Sequence, residues 1–201
     1  MVDTGMTSSE ARSRVGRPRS ERSRTAVLRA ASDLMHEVGL RAMTTEEIAN
    51  RSGVSKATIY KWWPNKYAVA VEAFLSEMLV EAADPDTGSA AEDFRVVLRG
   101  LSHFYASASG RVFAQLIGEA QFDPVVADEL RDRLIHSRRD VSLAIWDRGV
   151  SRGELRADVD REVAIDIVFG PALYRLLTGH APFDETTADA VVDAVMRGLA
   201  V

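Results

Sequence analysis

A chain of 201 residues holds one large domain, or a small head on a larger body. Hydrophobic residues make up 46% and charged residues 27%, which allows a core and a well-solvated surface. The absence of cysteine excludes disulfides and thiolate metal sites. No apolar run reaches the roughly 18 residues of a membrane span, so no membrane partner is expected. The polar, Arg-rich start lacks the apolar stretch of a secretory signal, and the expected location is the cytoplasm.

The net charge of −5 conceals two opposite halves. Met1 to Tyr67 carries twelve Lys and Arg against seven Asp and Glu, a net of +5, and the remainder is −10. A basic head on an acidic body suggests that only the head meets a polyanion.

In chain order, Met1 to Ser20 lacks apolar periodicity and reads as a disordered arm. A first helix is predicted from about Ser20 into Glu37, with Val27, Ala30, Ala31, Leu34 and Val38 as its buried stripe. Gly39 stops it. The second helix begins at Thr44, which forms a capping box with Glu47. Gly53 supplies the turn and Ser55 caps the third helix, which Pro64 ends. A fourth helix runs from about Asn65 toward Ala83, and Pro85 to Ser89 breaks the chain. The body reads as helices at about Ala91–Ser107, Arg111–Gln121, Pro124–Ser151, Arg161–Thr178 and Glu185–Ala200. Gly149 and Gly153 mark the end of the long one. The fold class is therefore all-α, with about nine helices and no sheet.

Two short helices joined at Gly53 form a helix-turn-helix, whose second helix enters the DNA major groove. Small Ala49 lets the helices cross, and Val54 and Ile59 fill the space beneath. Lys56, Ala57, Thr58, Tyr60, Lys61 and Trp62 are left facing partly outward. Ala57 and Thr58 are short enough for close approach to base edges. Lys61 reaches guanine or phosphate, and Tyr60 and Trp62 suit phosphate and sugar contact. Thr45 and Lys66 sit at helix N-termini, where phosphates bind well. Trp63 reads as core.

The stretch T-T-E-E-I-A-N-R-S-G-V-S-K-A-T-I-Y-K-W-W-P-N-K, Thr44 to Lys66, resembles the tetracycline-repressor (TetR) family of bacterial transcription regulators. The resemblance is tight from Ser20 to about Phe74. Family members usually carry Tyr or His, then Phe, where this chain has Trp62 and Trp63. The resemblance implies DNA contact by Thr45, Ser55, Lys56, Thr58, Tyr60, Trp62 and Lys66, and operator choice at Ala57 and Lys61. It implies a three-helix DNA-binding head over residues 20–66 and a body over 67–201 that binds a small effector and forms a homodimer. Residues 1–19 remain an Arg-rich arm. Its Gly16-Arg17-Pro18-Arg19 looks like an AT-hook core, so Arg17 and Arg19 are candidates for the minor groove.

The body supports a dimer independently. Val163 to Leu177 is apolar on nearly every side, and the last helix carries a broad apolar stripe, so both need cover on two faces. Val163, Ile167, Leu173, Leu177, Val191, Val195 and Leu199 are the expected dimer contacts. The effector pocket is expected among Phe104, Phe113, Trp146, Phe169 and Tyr174, with His103, Gln115 and Tyr174 as polar anchors. No enzyme motif occurs. Asp33 and His36 match half of a helical di-metal site without a second copy, so neither metal nor cofactor is expected. The reading is a repressor released from a palindromic DNA operator by a small apolar effector. The alternative is a helical interaction or architectural DNA-binding module without effector control.

Overall fold

The computed structural model describes residues 10–78 and 84–200, with side chains from residue 20 onward. Ten α-helices follow in order among the described residues: α1 Glu10–Ala42, α2 Thr45–Ser52, α3 Lys56–Trp62, α4 Lys66–Met78, α5 Ala90–Ala106, α6 Ala108–Ala120, α7 Pro124–Leu130, α8 His136–Ser151, α9 Arg161–Thr178 and α10 Glu185–Leu199. A π-helical turn, Arg131–Ile135, joins α7 to α8, so the expected long helix Pro124–Ser151 is one rod. Among the described residues no strand forms. One isolated antiparallel bridge links Leu155 to Ala200.

The head differs from expectation at its first helix. The backbone is helical from Glu10, ten residues before the expected start at Ser20. This stretch includes Gly16 and Pro18, which disfavour a helix interior, so local propensity does not account for the extension. Val38 is 48% exposed, while Met35, at 2%, joins Val27, Ala31 and Leu34 in the core. The reason is Gly39. Its φ of 82° interrupts the helix and turns the chain, so that Leu40 rather than Val38 is buried.

The end of α1 is then fixed by a residue from α4. Lys66 Nζ donates to the carbonyls of Leu40 (3.3 Å), Arg41 (2.8 Å) and Met43 (3.0 Å). These are carbonyls at a helix end, which lack partners along the helix and attract a cation. A second tie centres on Glu72. It accepts from Arg24 Nε at 2.9 Å and from the indole Nε1 of Trp63 at 2.8 Å. The Arg24 guanidinium lies 5.6 Å from the centre of the Trp63 ring, a cation–π contact. Trp63 is 3% exposed, as its core reading required. Both ties hold the first turns of α4 to the head, and the chain divides accordingly into Met1–Ala73 and Phe74–Val201. The expected continuation of α4 toward Ala83 lies outside the described residues.

In the body, α5 packs on α8, α9 and α10. Phe94, Leu98, Ile145, Trp146, Ile165, Val168 and Val192 form one buried cluster. Gly149 does not end α8. It lies inside the helix, and a Cβ there would stand 2.6 Å from Leu155 Cδ1 and 2.8 Å from Ala90 Cβ. It is a point of close approach between α8, α5 and the chain after α8. The segment after Asp84 is pinned to the same place by ions. Arg148 donates to the Pro85 carbonyl at 2.6 Å, Arg152 to Asp86 at 3.1 Å, and Glu154 accepts from the Ala90 amide at 2.6 Å. Asp93 is fully buried. Its Oδ1 accepts from the Thr87 amide and hydroxyl, both at 2.7 Å, and Arg152 lies 3.6 Å from its Oδ2.

Three stability outcomes follow. Gly149→Ala is expected to cost about 1–3 kcal/mol by overpacking. Gly118→Ala, in α6 with nothing within 4 Å of the added carbon, should gain about 0.5–1 kcal/mol from helix propensity. Urea midpoints compare them, and equal midpoints contradict the close approach. Lys66→Met strands three carbonyls and should cost about 1–3 kcal/mol. Tryptophan fluorescence during unfolding reads this, and an unchanged midpoint would remove Lys66 from the frame.

Candidate nucleic-acid interface

The interface is built on end chemistry. At the start of α2, Thr44 Oγ1 accepts from the Glu47 amide at 3.1 Å, and Glu47 returns to the Thr44 amide at 3.1 Å. The capping box is complete. Gly53 closes α2 at φ 68°, a left-handed position that other residues adopt only at a cost. Ser55 then caps α3, its hydroxyl accepting from the Thr58 amide at 3.3 Å and pairing with Thr58 Oγ1 at 2.9 Å. Beneath α3, Ile59 is 1% exposed. Val54 and Ala49 are half-buried, so Val54 contributes less core than expected.

This frame fixes what α3 presents. Ala57, Tyr60 and Lys61 are exposed, Tyr60 at 52%. The side chains of Tyr60 and Lys61 make no hydrogen bond or ion pair with any described residue, which leaves both available to a partner. Lys56 is also exposed but lies 3.8 Å from Glu46, a loose surface pair that contributes little. Trp62 is half-buried and meets Trp63 edge to face at 5.5 Å. Thr45, in the first turn of α2, is half-buried beside the capping box.

Three expected contacts have other work. Ser55 and Thr58 direct their hydroxyls to the α3 cap. Lys66 turns its ammonium to the carbonyls that end α1, so it stands in the frame of the head instead of on its outer face. The side chains of Arg17 and Arg19 lie outside those described.

One bracing pair was not visible in the sequence. Arg51 makes a two-pronged bond to Glu37, at 2.7 and 2.8 Å, joining α2 to α1. The bond lowers the Glu37 pKa and raises that of Arg51. The residues are 14 apart, beyond any helical spacing that would signal the pair.

The body residues expected around an effector separate into four groups. Phe104 and Phe113 join an aromatic cluster with Phe74, which stacks on Phe113 at 5.9 Å and meets Phe104 at 6.3 Å. Trp146 is buried in the body core, and Phe169 packs against it. Gln115 and Tyr174 are exposed. His103 alone of the seven lines the cavity of about 630 Å³ beside the α9–α10 connection. The expected dimer contacts separate as well. Val163, Ile167, Leu173 and Leu177 stand 37–52% exposed on α9. Val191 and Val195 are half-buried, and Leu199 is 7% exposed inside its own subunit. Leu199 therefore belongs to the core, because the chain after α8 folds back and bridges to Ala200 beside it.

Among the described residues no group of acidic, His or Cys side chains could hold a metal ion, and no helix is long and apolar enough to cross a membrane.

Comparison with known proteins agrees with this architecture. Residues 27–73 match the family described as bacterial regulatory proteins, tetR family. Residues 84–195 match the tetracyclin repressor-like C-terminal domain. The HTH-type transcriptional regulator YdeS of Bacillus subtilis is 44% identical over 183 residues, covering 90% of this chain and 92% of YdeS. The DNA-binding transcriptional repressor TetR of Mycobacteroides abscessus is 27% identical over 180 residues, covering 89% and 94%. The crystal structure of the TetR family transcription regulator SCO0332 superposes with a TM-score of 0.74 at 34% identity, covering 88% of this chain and 97% of that one. Proteins of this kind bind operator DNA, dimerise and bind small-molecule effectors, and they are regulators rather than enzymes. A basic helix-turn-helix head, an all-helical body and likeness along nearly the whole length lead to one assignment: the chain belongs to the TetR family of transcriptional regulators.

Proposed function

We propose that this chain is a cytoplasmic repressor that holds a palindromic operator as a homodimer and releases it when a small molecule with an apolar body binds the C-terminal body. The observation that carries the reading is the surface of α3. Ala57, Tyr60 and Lys61 face solvent on a helix whose other side is locked into the head, and the side chains of Tyr60 and Lys61 have no partner among the described residues. Ala57 brings the backbone close to base edges, Lys61 reads guanine or neutralises phosphate, and Tyr60 donates to phosphate. Lys56 and Trp62 stand beside them as backbone contacts. Ser55 and Thr58 act mainly by fixing the α3 N-terminus, and Thr45 places its amide and hydroxyl at the start of α2.

Dimerisation uses the outer face of α9. Val163, Ile167, Tyr174 and Leu177 recur at spacings of four, seven and three, and all are exposed. Such a stripe is costly to leave in water and fits a second copy of itself across a two-fold axis. On α10 the outward residues Ala190, Ala194 and Gly198 are small and let a partner helix approach closely. Two heads related by this axis read two half-sites about one DNA turn apart, roughly 34 Å. Release requires an effector that binds the DNA-incompetent arrangement more tightly than the competent one.

A gel-shift titration with the DNA upstream of the chain's own gene tests the interface. Lys61→Ala is expected to weaken specific binding by about tenfold, with Tyr60→Phe weaker by a smaller factor. Unchanged affinity and base preference in both variants places recognition elsewhere. Removing residues 1–19 is expected to flatten the salt dependence if Arg17 and Arg19 neutralise phosphates, and an identical slope excludes the arm. Ile167→Glu should convert the dimer to monomers in analytical ultracentrifugation and weaken operator binding. A dimer that survives this change does not use the α9 stripe.

A further inference from the structure

The cavity of about 630 Å³ in the body lies between the end of α5, the start of α6 and the α9–α10 connection. Its size falls in the range of roughly 300–1,000 Å³ usual for small-molecule sites. Part of the lining is apolar. Phe183, 8% exposed, belongs to the body core, and Leu176 stands beside it on α9. The Tyr105 ring stacks on Phe113 at 6.2 Å and meets Phe183 at 6.4 Å.

The polar part of the lining has a consistent sense. Its carboxylates are already engaged. Asp184 caps α10 by accepting from the Thr187 amide at 2.8 Å, and Glu185 lies 2.9 Å from His103. The Ser102 hydroxyl donates to the Arg99 carbonyl at 2.7 Å. Several donors, by contrast, are free. The Arg111 side chain makes no hydrogen bond or ion pair with any described residue. Arg175 commits only one nitrogen, to the Pro182 carbonyl at 2.6 Å. The Tyr105 hydroxyl has no hydrogen-bond partner among the described residues, and burial raises its pKa, so it stays protonated and donates. Uncommitted donors beside an apolar wall call for an acceptor on an apolar body. Asp184 and Glu185 in the same lining disfavour a dianion and favour a single negative charge.

We propose that this cavity binds an amphipathic organic acid, with its carboxylate on Arg111, Arg175 and the Tyr105 hydroxyl and its apolar body against Leu176 and Phe183. The proposal rests on the effector control proposed above and names the chemical class of the effector.

Calorimetric titration of the full chain with octanoate, decanoate and phenylbutyrate, each beside its primary alcohol, tests it. At least one acid is expected to bind, with its alcohol about tenfold weaker or more. Arg111→Gln should lose about tenfold or more in acid affinity, because it removes a charge-assisted bond. Tyr105→Phe, which keeps the ring packing, should lose a smaller factor. A circular dichroism melt checks that both variants are folded. Failure of all three acids, equal binding by an alcohol, or unaltered affinity in Arg111→Gln overturns the site. The same acids added to the operator complex separate the two readings. Selective binding that leaves the DNA complex intact keeps the site and sinks effector control. Release by an unrelated compound, with acid affinity unaltered in Arg111→Gln, keeps control and sinks the site.

Discussion

The recognition helix α3 has only seven residues, and a helix of that length does not persist alone in water. Everything the head offers to DNA depends on borrowed stability. The Ser55 cap holds one end, the burial of Ile59 and Trp63 holds the inner side, and Glu72 fastens Trp63 to α4 while also bonding Arg24 of α1. Lys66 completes the frame by closing the end of α1. The outward residues are few because most side chains near them are needed to keep the helix in place.

The body solves a different problem. It leaves an apolar α9 face exposed and still keeps its own core closed. It does so by close approach at Gly149 and by an ion-rich clamp in which Arg148, Arg152 and Glu154 grip the segment leading into α5. The buried Asp93 is tolerable because two Thr87 donors and Arg152 surround it. Near the α9–α10 connection lies the cavity, lined in part by Arg111 and Arg175, whose side chains have few or no partners among the described residues.

Local chemistry was legible in the sequence. The Thr44–Glu47 box, the Ser55 cap and the Gly53 turn are set by neighbours within a few residues, and each appears as read. The long helix from Pro124 to Ser151 was legible too, but the π-helical turn at Arg131–Ile135 within it was not. Long-range partners were not. Lys66 carries a charge next to a helix start, which reads as a phosphate contact, yet its partners lie 23 to 26 residues away at the end of α1. Gly149 resembles a helix stop until the side chains of Leu155 and Ala90 are seen against it. The pocket was harder still. Phe113 and Trp146 have the periodicity of pocket walls and core alike, and only burial separates the two. Arg111 and Arg175 have no sequence signature, because what distinguishes them is the absence or scarcity of a partner in three dimensions.

In the proposed function, two copies of this head, fixed by one dimer axis, read one symmetric DNA site. A nuclease footprint of the full chain on the DNA upstream of its gene tests it most directly. The expected result is a protected palindrome with half-sites about one helical turn apart, roughly 34 Å. Protection of a single asymmetric half-site, or even coverage without a preferred sequence, would contradict it.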